Sequence, residues 1–467
     1  MGWSREDILA ASRGETVRLG KAQVFGEVVT DSRSAARKSV FVALEGEKFD
    51  GHMFLRDAVL HGATCLLVHR KPEARGLRDA AVIKVTDTLR ALGDLAHYRR
   101  KRIAPKVLAI TGSNGKTTTK EMVASILERA SIEGGRLRGK VLKTDGNYNN
   151  LVGLPLTLLR LQGREKVAVL ELGTNRPGEI RRLAEIADPD IGLITSVAPA
   201  HLAGLRNLAG VAREKGELFR RLDRRGIAVV NVDDPWVRRL GKHFKGMKIT
   251  YGKSGDIRGE GSKALGGRGM EFTLRVGSRR KRVRLKLSGE HNLSNALGAA
   301  AMAYGLGADL EAMGRGLEAV RPVPMRMVVQ RHRGIGIIND AYNANPASME
   351  AALNALVGME SRGKRIAVLG DMIELGSGSA KEHVELGKSV ARRDIGRLYL
   401  LGQHAGHVKR GALGAGMEEE QVRIGADHLE LATWLSEQSK KGDWLLFKGS
   451  RGLAMEKVIE AFRAIGE

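Results

Sequence analysis

The densest chemistry in the chain lies at Thr111, Gly112, Ser113, Asn114, Gly115, Lys116, Thr117, Thr118 and Thr119. An apolar run from Val107 to Ile110 precedes it, and a helical pattern from Lys120 to Ala130 follows. This is the sequence form of a strand, a glycine-bearing turn and a helix N-terminus. Backbone N–H groups and the helix dipole at such a junction attract anions, and Lys116 adds a mobile positive charge. The Thr117 hydroxyl stands where a ligand to phosphate-associated Mg²⁺ is expected, so the pattern predicts a nucleoside triphosphate site. One glycine of the usual spacing is replaced by Ile110, leaving Gly112 and Gly115 to build the turn. A plain surface turn would not follow a buried strand with Lys-Thr-Thr.

Other polar residues fall where apolar runs end. Glu171 ends the run from Val167, His201 follows 191–197, and Asn339, Asp340 and Asn343 follow 335–338. Asp371 follows 366–369, and Lys448, Ser450 and Arg451 follow 445–447. In open α/β sheets, ligands collect beyond the carboxyl ends of strands. Glu171 suits a hard cation, whereas imidazole is a poor choice for Mg²⁺, so a solvated loop is the default for His201. Asp371 is equally readable as structural. Lys215, between Glu214 and Gly216, reads locally as an exposed helix lysine.

These residues need a scaffold, and the chain has the length for one. Its 467 residues suggest about three domains, and its 42% apolar content can fill ordinary cores. Residues 1–104 alternate short strands (40–44, 64–68) with helices (54–61). Residues 105–321 repeat strand and helix at 167–172, 191–197, 227–231 and 249–251, the pattern of a doubly wound, mostly parallel sheet. A strand-rich segment at 256–287 predicts an antiparallel flap. Arg321, Pro322, Val323 and Pro324 form a stiff boundary, and 322–467 alternates again (335–339, 366–369, 398–401, 444–447) as a third, Rossmann-like α/β domain.

No stretch approaches a membrane span, and the charged N-terminus does not read as a signal peptide. The single cysteine, Cys65, fits a core thiol in a reducing cytoplasm. A net charge of +25 could favour nucleic acid, but the charge is dispersed and aromatics are only 4%, leaving few stacking platforms. Basic charge also suits small anionic substrates. The run 99–102 reads as an exposed linker, and 279–287 as a half-buried strand with a basic face.

The phosphate loop, the segments 146–157, 171–175 and 289–296, and the later motifs 339–349 and 369–376 together resemble the bacterial Mur ligases, which build the peptide stem of the peptidoglycan precursor. The last two point to the branch that adds D-alanyl-D-alanine to a UDP-N-acetylmuramoyl-tripeptide. The resemblance runs through all three domains in order. It implies a cytoplasmic, monomeric, ATP- and Mg²⁺-dependent ligase working through an acyl phosphate, with no nucleic-acid partner. It assigns the central domain to ATP, the first to the UDP-sugar, and the third to closure and the incoming dipeptide.

By the same resemblance, Lys215 matches a lysine carbamylated by CO₂, and Glu171, His201 and Thr117 match metal-associated positions. Asn295, Arg326 and Asp340 match positions holding adenine, phosphate and ribose. Asn149 and Asn150 match contacts on the phosphate or the carboxylate side. Ser32, Arg33, Phe49, Asp50, Gly51 and His52 resemble the UDP-sugar site, and Asn343, Lys448, Ser450 and Arg451 contacts to peptide. The Asp-Asn-Pro-Arg motif of the diaminopimelate-adding relative is missing, and folylpolyglutamate synthases lack the first domain. A P-loop ATPase acting on RNA would explain the charge, but the chain has no helicase-like motif set. Whether the third stem residue is diaminopimelate or lysine stays open.

Overall fold

The computed structural model describes residues 2–72, 76–77 and 79–465. Three sheets carry the fold. The first orders its strands Glu15–Arg18, Ala81–Lys84, Ala63–Val68, Ser39–Val42 and Val28–Val29. Only Glu15–Arg18 runs antiparallel to its neighbour. Cys65 is fully buried in it, and burial pushes its thiol up to about 12, which leaves it an inert core residue.

The central sheet begins with six parallel strands in the order Val141–Lys143, Val167–Glu171, Lys106–Thr111, Ile191–Ile194, Ile227–Asn231 and Met247–Tyr251. Its first strand in sequence, Lys106–Thr111, thus lies in the middle, and the chain winds away from it in both directions. That makes its carboxyl end a topological switch point, where a crevice must open. The strand is an unbroken apolar run because both faces are covered. Leu108 and Ile110 enter the core under the helix Lys116–Leu127, while Val107 and Ala109 enter the opposite core.

The segment expected as an antiparallel flap is antiparallel, and it extends this sheet at its edge. Ile257–Ala264 joins Met247–Tyr251 through a single parallel pair, and Met270–Val276 and Arg279–Leu285 add antiparallel strands. Arg279–Leu285 is the edge strand, with Val283 and Leu285 buried and Arg280, Arg282 and Arg284 exposed. Charged residues there discourage pairing with another chain.

The third sheet orders Val328–His332, Ile335–Asp340, Trp444–Lys448, Arg365–Gly370, Arg397–Leu401 and Val422–Ile424. It is parallel apart from its first pair. Ile338 and Leu369 face one core, and Ile337 and Val368 the other.

The basic run 99–102 is no linker. It ends the helix Thr88–Ile103, which closes on Ala104 in the left-handed conformation. Leu92 and Leu95 pack into the first domain, while Ala96 packs into the central core. The arginines serve this docking: Arg99 lies over the Trp3 ring at 4.5 Å. Arg100 donates to the carbonyls of Ala187 (3.1 Å) and Asp188 (2.8 Å) and to the Asp190 carboxylate (3.2 Å). Periodicity missed this because a long arginine buries its stem while its head satisfies carbonyls.

Among the described residues no helix is long and apolar enough to cross a membrane. Arg100→Ala should cost about 2–3 kcal/mol in denaturant unfolding, because it strands buried carbonyls. Arg102→Ala, whose half-exposed side chain pairs with Asp7, should cost under about 1 kcal/mol. Equal costs would contradict the docking role.

Candidate active site

The turn after Lys106–Thr111 is fixed by its neighbours. Gly112 has φ 150°, and a Cβ there would lie 1.8 Å from Thr195 Oγ1. That hydroxyl donates to the Asn114 carbonyl at 2.6 Å. Ser113 N–H donates to the Ser196 carbonyl (2.9 Å), and its hydroxyl donates to that of Ala198 (2.8 Å). Gly115, at φ 82°, starts the helix, and a Cβ there would meet Asn295 Oδ1 at 2.2 Å. The missing third glycine has a simple cause: Ile110 is still a fully buried strand residue, so the turn starts two residues later.

Lys116 donates to the Gly112 carbonyl at 2.8 Å. Burial holds its amine below the ordinary lysine range, with Glu171 opposing this and Arg326 adding to it. Glu171 is buried at the end of its strand, and its carboxylate accepts from Thr117 Oγ1 (2.8 Å) and Asn149 Nδ2 (2.9 Å). These contacts juxtapose an anionic oxygen, a hydroxyl and the phosphate loop. Oxygen donors of this kind suit Mg²⁺, which takes one or two carboxylates and completes its shell with phosphate oxygens and water. Among the described residues no three His, Cys, Asp or Glu side chains gather as an all-protein metal cage.

Lys215 departs from its local sequence reading. It is only 1% exposed. Burial, with the Lys116 charge adding, holds its amine well below the ordinary lysine range against the pull of Glu214. Glu214 is itself engaged: it accepts the N–H groups of Gly178 and Ile180, both at 2.8 Å, at the start of the helix Glu179–Ala187. Lys215 is therefore a buried amine biased toward its neutral form.

The third domain supplies the opposite wall. Arg326 stacks on the Tyr342 ring at 4.0 Å, between Met325 and Met327, both at positive φ. Lys448 is buried and bridges Asp340 Oδ2 (2.5 Å) and the Asn343 carbonyl (2.9 Å). Two side-chain hydrogen bonds cross from this domain to the central one, beside the Ala203 N–H donated to the Glu374 carbonyl at 3.1 Å. Asn345 Nδ2 donates to Asn114 Oδ1 at 2.8 Å, and His201 Nδ1 meets Glu374 Oε2 at 2.5 Å. Together these groups enclose a cleft of about 580 Å³ at the switch point.

The cleft gathers residues 113–118, Asn149, Asn150, Glu171, His201, Asn295, Arg326, Asp340, Asn343 and Lys448. Gly112 lies behind it, locked against Thr195. His201 points its Nδ1 to Glu374, so a loop histidine is joined to the third domain by a partner far away in sequence. Ser450 and Arg451 do not line it: Ser450 Oγ accepts the Ile373 N–H (2.8 Å), and Arg451 pairs with Glu456 (2.5 Å). Asp371 accepts the N–H groups of Gln403 (2.7 Å) and His404 (3.0 Å), which makes it structural.

Ser32, Arg33, Phe49, Asp50, Gly51 and His52 lie outside the cleft, in the first domain. There Arg33 pairs with Asp31 at 2.7 Å, and Asp50 accepts the His52 N–H (2.9 Å) and Nδ1–H (2.8 Å). The His69 N–H donates to His52 Nε2 at 3.2 Å, so the ring is held neutral with its Nδ1 protonated. Phe49 projects beside them, 73% exposed. Sequence reasoning missed Glu214, Tyr342, Asn345 and Glu374. Asn345 carried a local signal, as an Asn before Pro346 at a helix start, and Tyr342 and Glu374 lay within the motifs 339–349 and 369–376 without a role assigned.

Comparison with known proteins settles the family. Residues 25–100 match the model of the Mur ligase family catalytic domain, 110–303 that of the Mur ligase middle domain, and 325–451 that of the Mur ligase glutamate ligase domain. The chain belongs to the Mur ligase family. It is 37% identical over 444 residues to the UDP-N-acetylmuramoyl-tripeptide–D-alanyl-D-alanine ligase of Escherichia coli, covering 94% of each chain. It is 34% identical to the enzyme of the same name from Bacillus subtilis, over 93% of this chain and 92% of that one. Among solved structures, MurF from Acinetobacter baumannii superposes with a TM-score of 0.90 at 32% identity, covering 99% of both chains. MurF from Thermotoga maritima in complex with ADP gives 0.81 at 29% identity, covering 94% of this chain and 97% of that one.

In this Mur ligase, Gly112→Ala should weaken binding of a non-hydrolysable ATP analogue by about tenfold or more, because Thr195 must give way. Calorimetry giving the parent affinity would contradict the described turn.

Proposed function

We propose that this chain joins D-alanyl-D-alanine to UDP-N-acetylmuramoyl-tripeptide at the expense of ATP. The observation that carries this reading is the cleft in which a phosphate loop, a buried carboxylate and basic groups of the third domain meet, in a Mur ligase similar end to end to enzymes of that name. A terminal carboxylate oxygen of the tripeptide attacks the γ-phosphorus, and the bond to the ADP oxygen breaks. The dipeptide amine then attacks the acyl carbon, the carbon–oxygen bond to phosphate breaks, and the amine proton is lost as the amide forms.

The protein's work here is to bring three anionic partners together and follow the moving charge. The first domain, within 1–104, would hold the UDP-sugar through Asp50, His52 and their neighbours. The central one, 105–321, would hold ATP on residues 112–118, with Asn295 toward the adenine. The third, 322–467, would bring Arg326 to phosphate, Asp340 to ribose, and Asn343 and Lys448 to the peptide side. Asn149 and Asn150 fit the phosphate or the carboxylate side. Lys116 would leave the Gly112 carbonyl for the γ-phosphate. Thr117, Glu171 and a carbamylated Lys215 would hold Mg²⁺, with His201 nearby, and the ion when bound would neutralise the phosphate oxygens. We place the reaction in the cytoplasm and expect a monomer.

Mass detection of the pentapeptide product from UDP-tripeptides bearing diaminopimelate or lysine, with ADP released in equal amount, tests the reading. ATP hydrolysis with neither product would overturn it. Lys116→Ala should lower turnover by about two to three orders of magnitude with an unchanged melting temperature, and near-normal turnover would remove Lys116 from the chemistry.

Lys215→Ala should lose most activity and regain part of it with small carboxylic acids that occupy the vacated space. Lys215→Arg should stay inactive, since a guanidinium cannot become an anionic oxygen ligand. An Arg variant as active as the parent would show that Lys215 supplies charge or packing.

A further inference from the structure

The turn carrying Glu374 touches the central domain at three points within a few residues. Its carboxylate meets His201 Nδ1 at 2.5 Å, and its carbonyl accepts the Ala203 N–H at 3.1 Å. Gly376, two residues on, packs within ordinary contact range, where a Cβ would sit 3.5 Å from Ala203 Cα. Both partners sit in the left-handed region, Glu374 at φ 72° and His201 at φ 54°, where residues with a side chain are disfavoured. Such conformations persist only where surrounding contacts over-determine them, and they concentrate at clamps and active sites. Both residues also line the cleft.

The carboxylate also selects the state of the ring. With Nδ1–H donating to Glu374, Nε2 of the neutral imidazole carries the lone pair. The Glu374 side chain is still 46% exposed, so no buried core depends on it.

We propose that Glu374 is a positioning residue that latches the third domain to the 201–203 loop and thereby sets the His201 ring in the closed cleft. This inference rests on the ligase reading above. It differs from the phosphate and ribose contacts of Arg326 and Asp340 in touching no substrate: it stabilises the closed arrangement in which those contacts form.

The test is a distance distribution between spin labels at Arg225→Cys and Glu437→Cys, both exposed, with Cys65 buried and unreactive. The full chain is measured with a non-hydrolysable ATP analogue plus UDP-tripeptide. Glu374→Ala should cut the closed-to-open ratio about fivefold or more and lower kcat similarly, with the KM for ATP within about twofold and an unchanged melting temperature. Glu374→Gln, whose amide oxygen still accepts the Nδ1–H, should restore most of both. His201→Ala should cut the closed ratio as Glu374→Ala does, and the double variant should lose no more than either. If the parent ligates and Glu374→Ala closes and turns over as the parent does, the latch is refuted. If the parent makes no product, the ligase reading fails, while the distance distributions still decide the latch.

Discussion

Positive charge gathered where water is scarce is unstable until an anion answers it, and the site is built around that constraint. Lys116 is the hub: it feels the charges of Arg326 and Lys215, with the buried carboxylates Glu171 beside Lys116 and Glu214 beside Lys215. Burial and mutual repulsion both disfavour the charged forms of Lys116 and Lys215, so a phosphate-bearing ligand gains interactions that water does not offset. Burial biases Lys215 away from its charged form, while Lys116 donates to a backbone carbonyl. Anion binding is thus the event that relieves the site, and the proposed ligation uses that relief to hold ATP beside a second anion.

The fold makes this arrangement affordable because the polar groups sit at strand ends while the strands themselves stay apolar. Lys106–Thr111 is covered on both faces, so the switch point beyond Thr111 is anchored by two cores at once. The third sheet does the same for Asp340 and Lys448, which end adjacent parallel strands and pair as Asp340↔Lys448 in register. Hydrogen bonds across the domains, among them Asn345 to Asn114 and His201 to Glu374, then bring the two sets of strand ends face to face.

Much of this was legible in the sequence, and the parts that were not share a cause. Apolar runs gave most of the parallel strands of all three domains, but not the short strands Val28–Val29, Ala81–Lys84, Val141–Lys143 and Val422–Ile424, and the phosphate loop announced itself through strand, glycines and lysine. The polar strand ends at Glu171, Asp340 and Lys448 converge as expected, whereas Ser450 and Asp371 turn inward to tie loops. What local pattern could not give was burial decided by distant chain. Arg99 and Arg100 looked solvated until carbonyls from 187–188 and the Trp3 ring met them, and Lys215 looked exposed although the fold buries it to 1%. Glu374 stood inside the motif 369–376, but its pairing with His201 was not legible, since that partner lies 173 residues away.

The central claim is that the cleft brings a carboxylate into attack on the γ-phosphorus, and an isotope measurement tests it directly. UDP-tripeptide labelled with ¹⁸O in its terminal carboxylate is incubated with ATP and D-alanyl-D-alanine, and the released inorganic phosphate is analysed by mass. If the carboxylate is phosphorylated before the amide forms, one labelled oxygen moves into each phosphate released. Product formation with unlabelled phosphate would contradict the account.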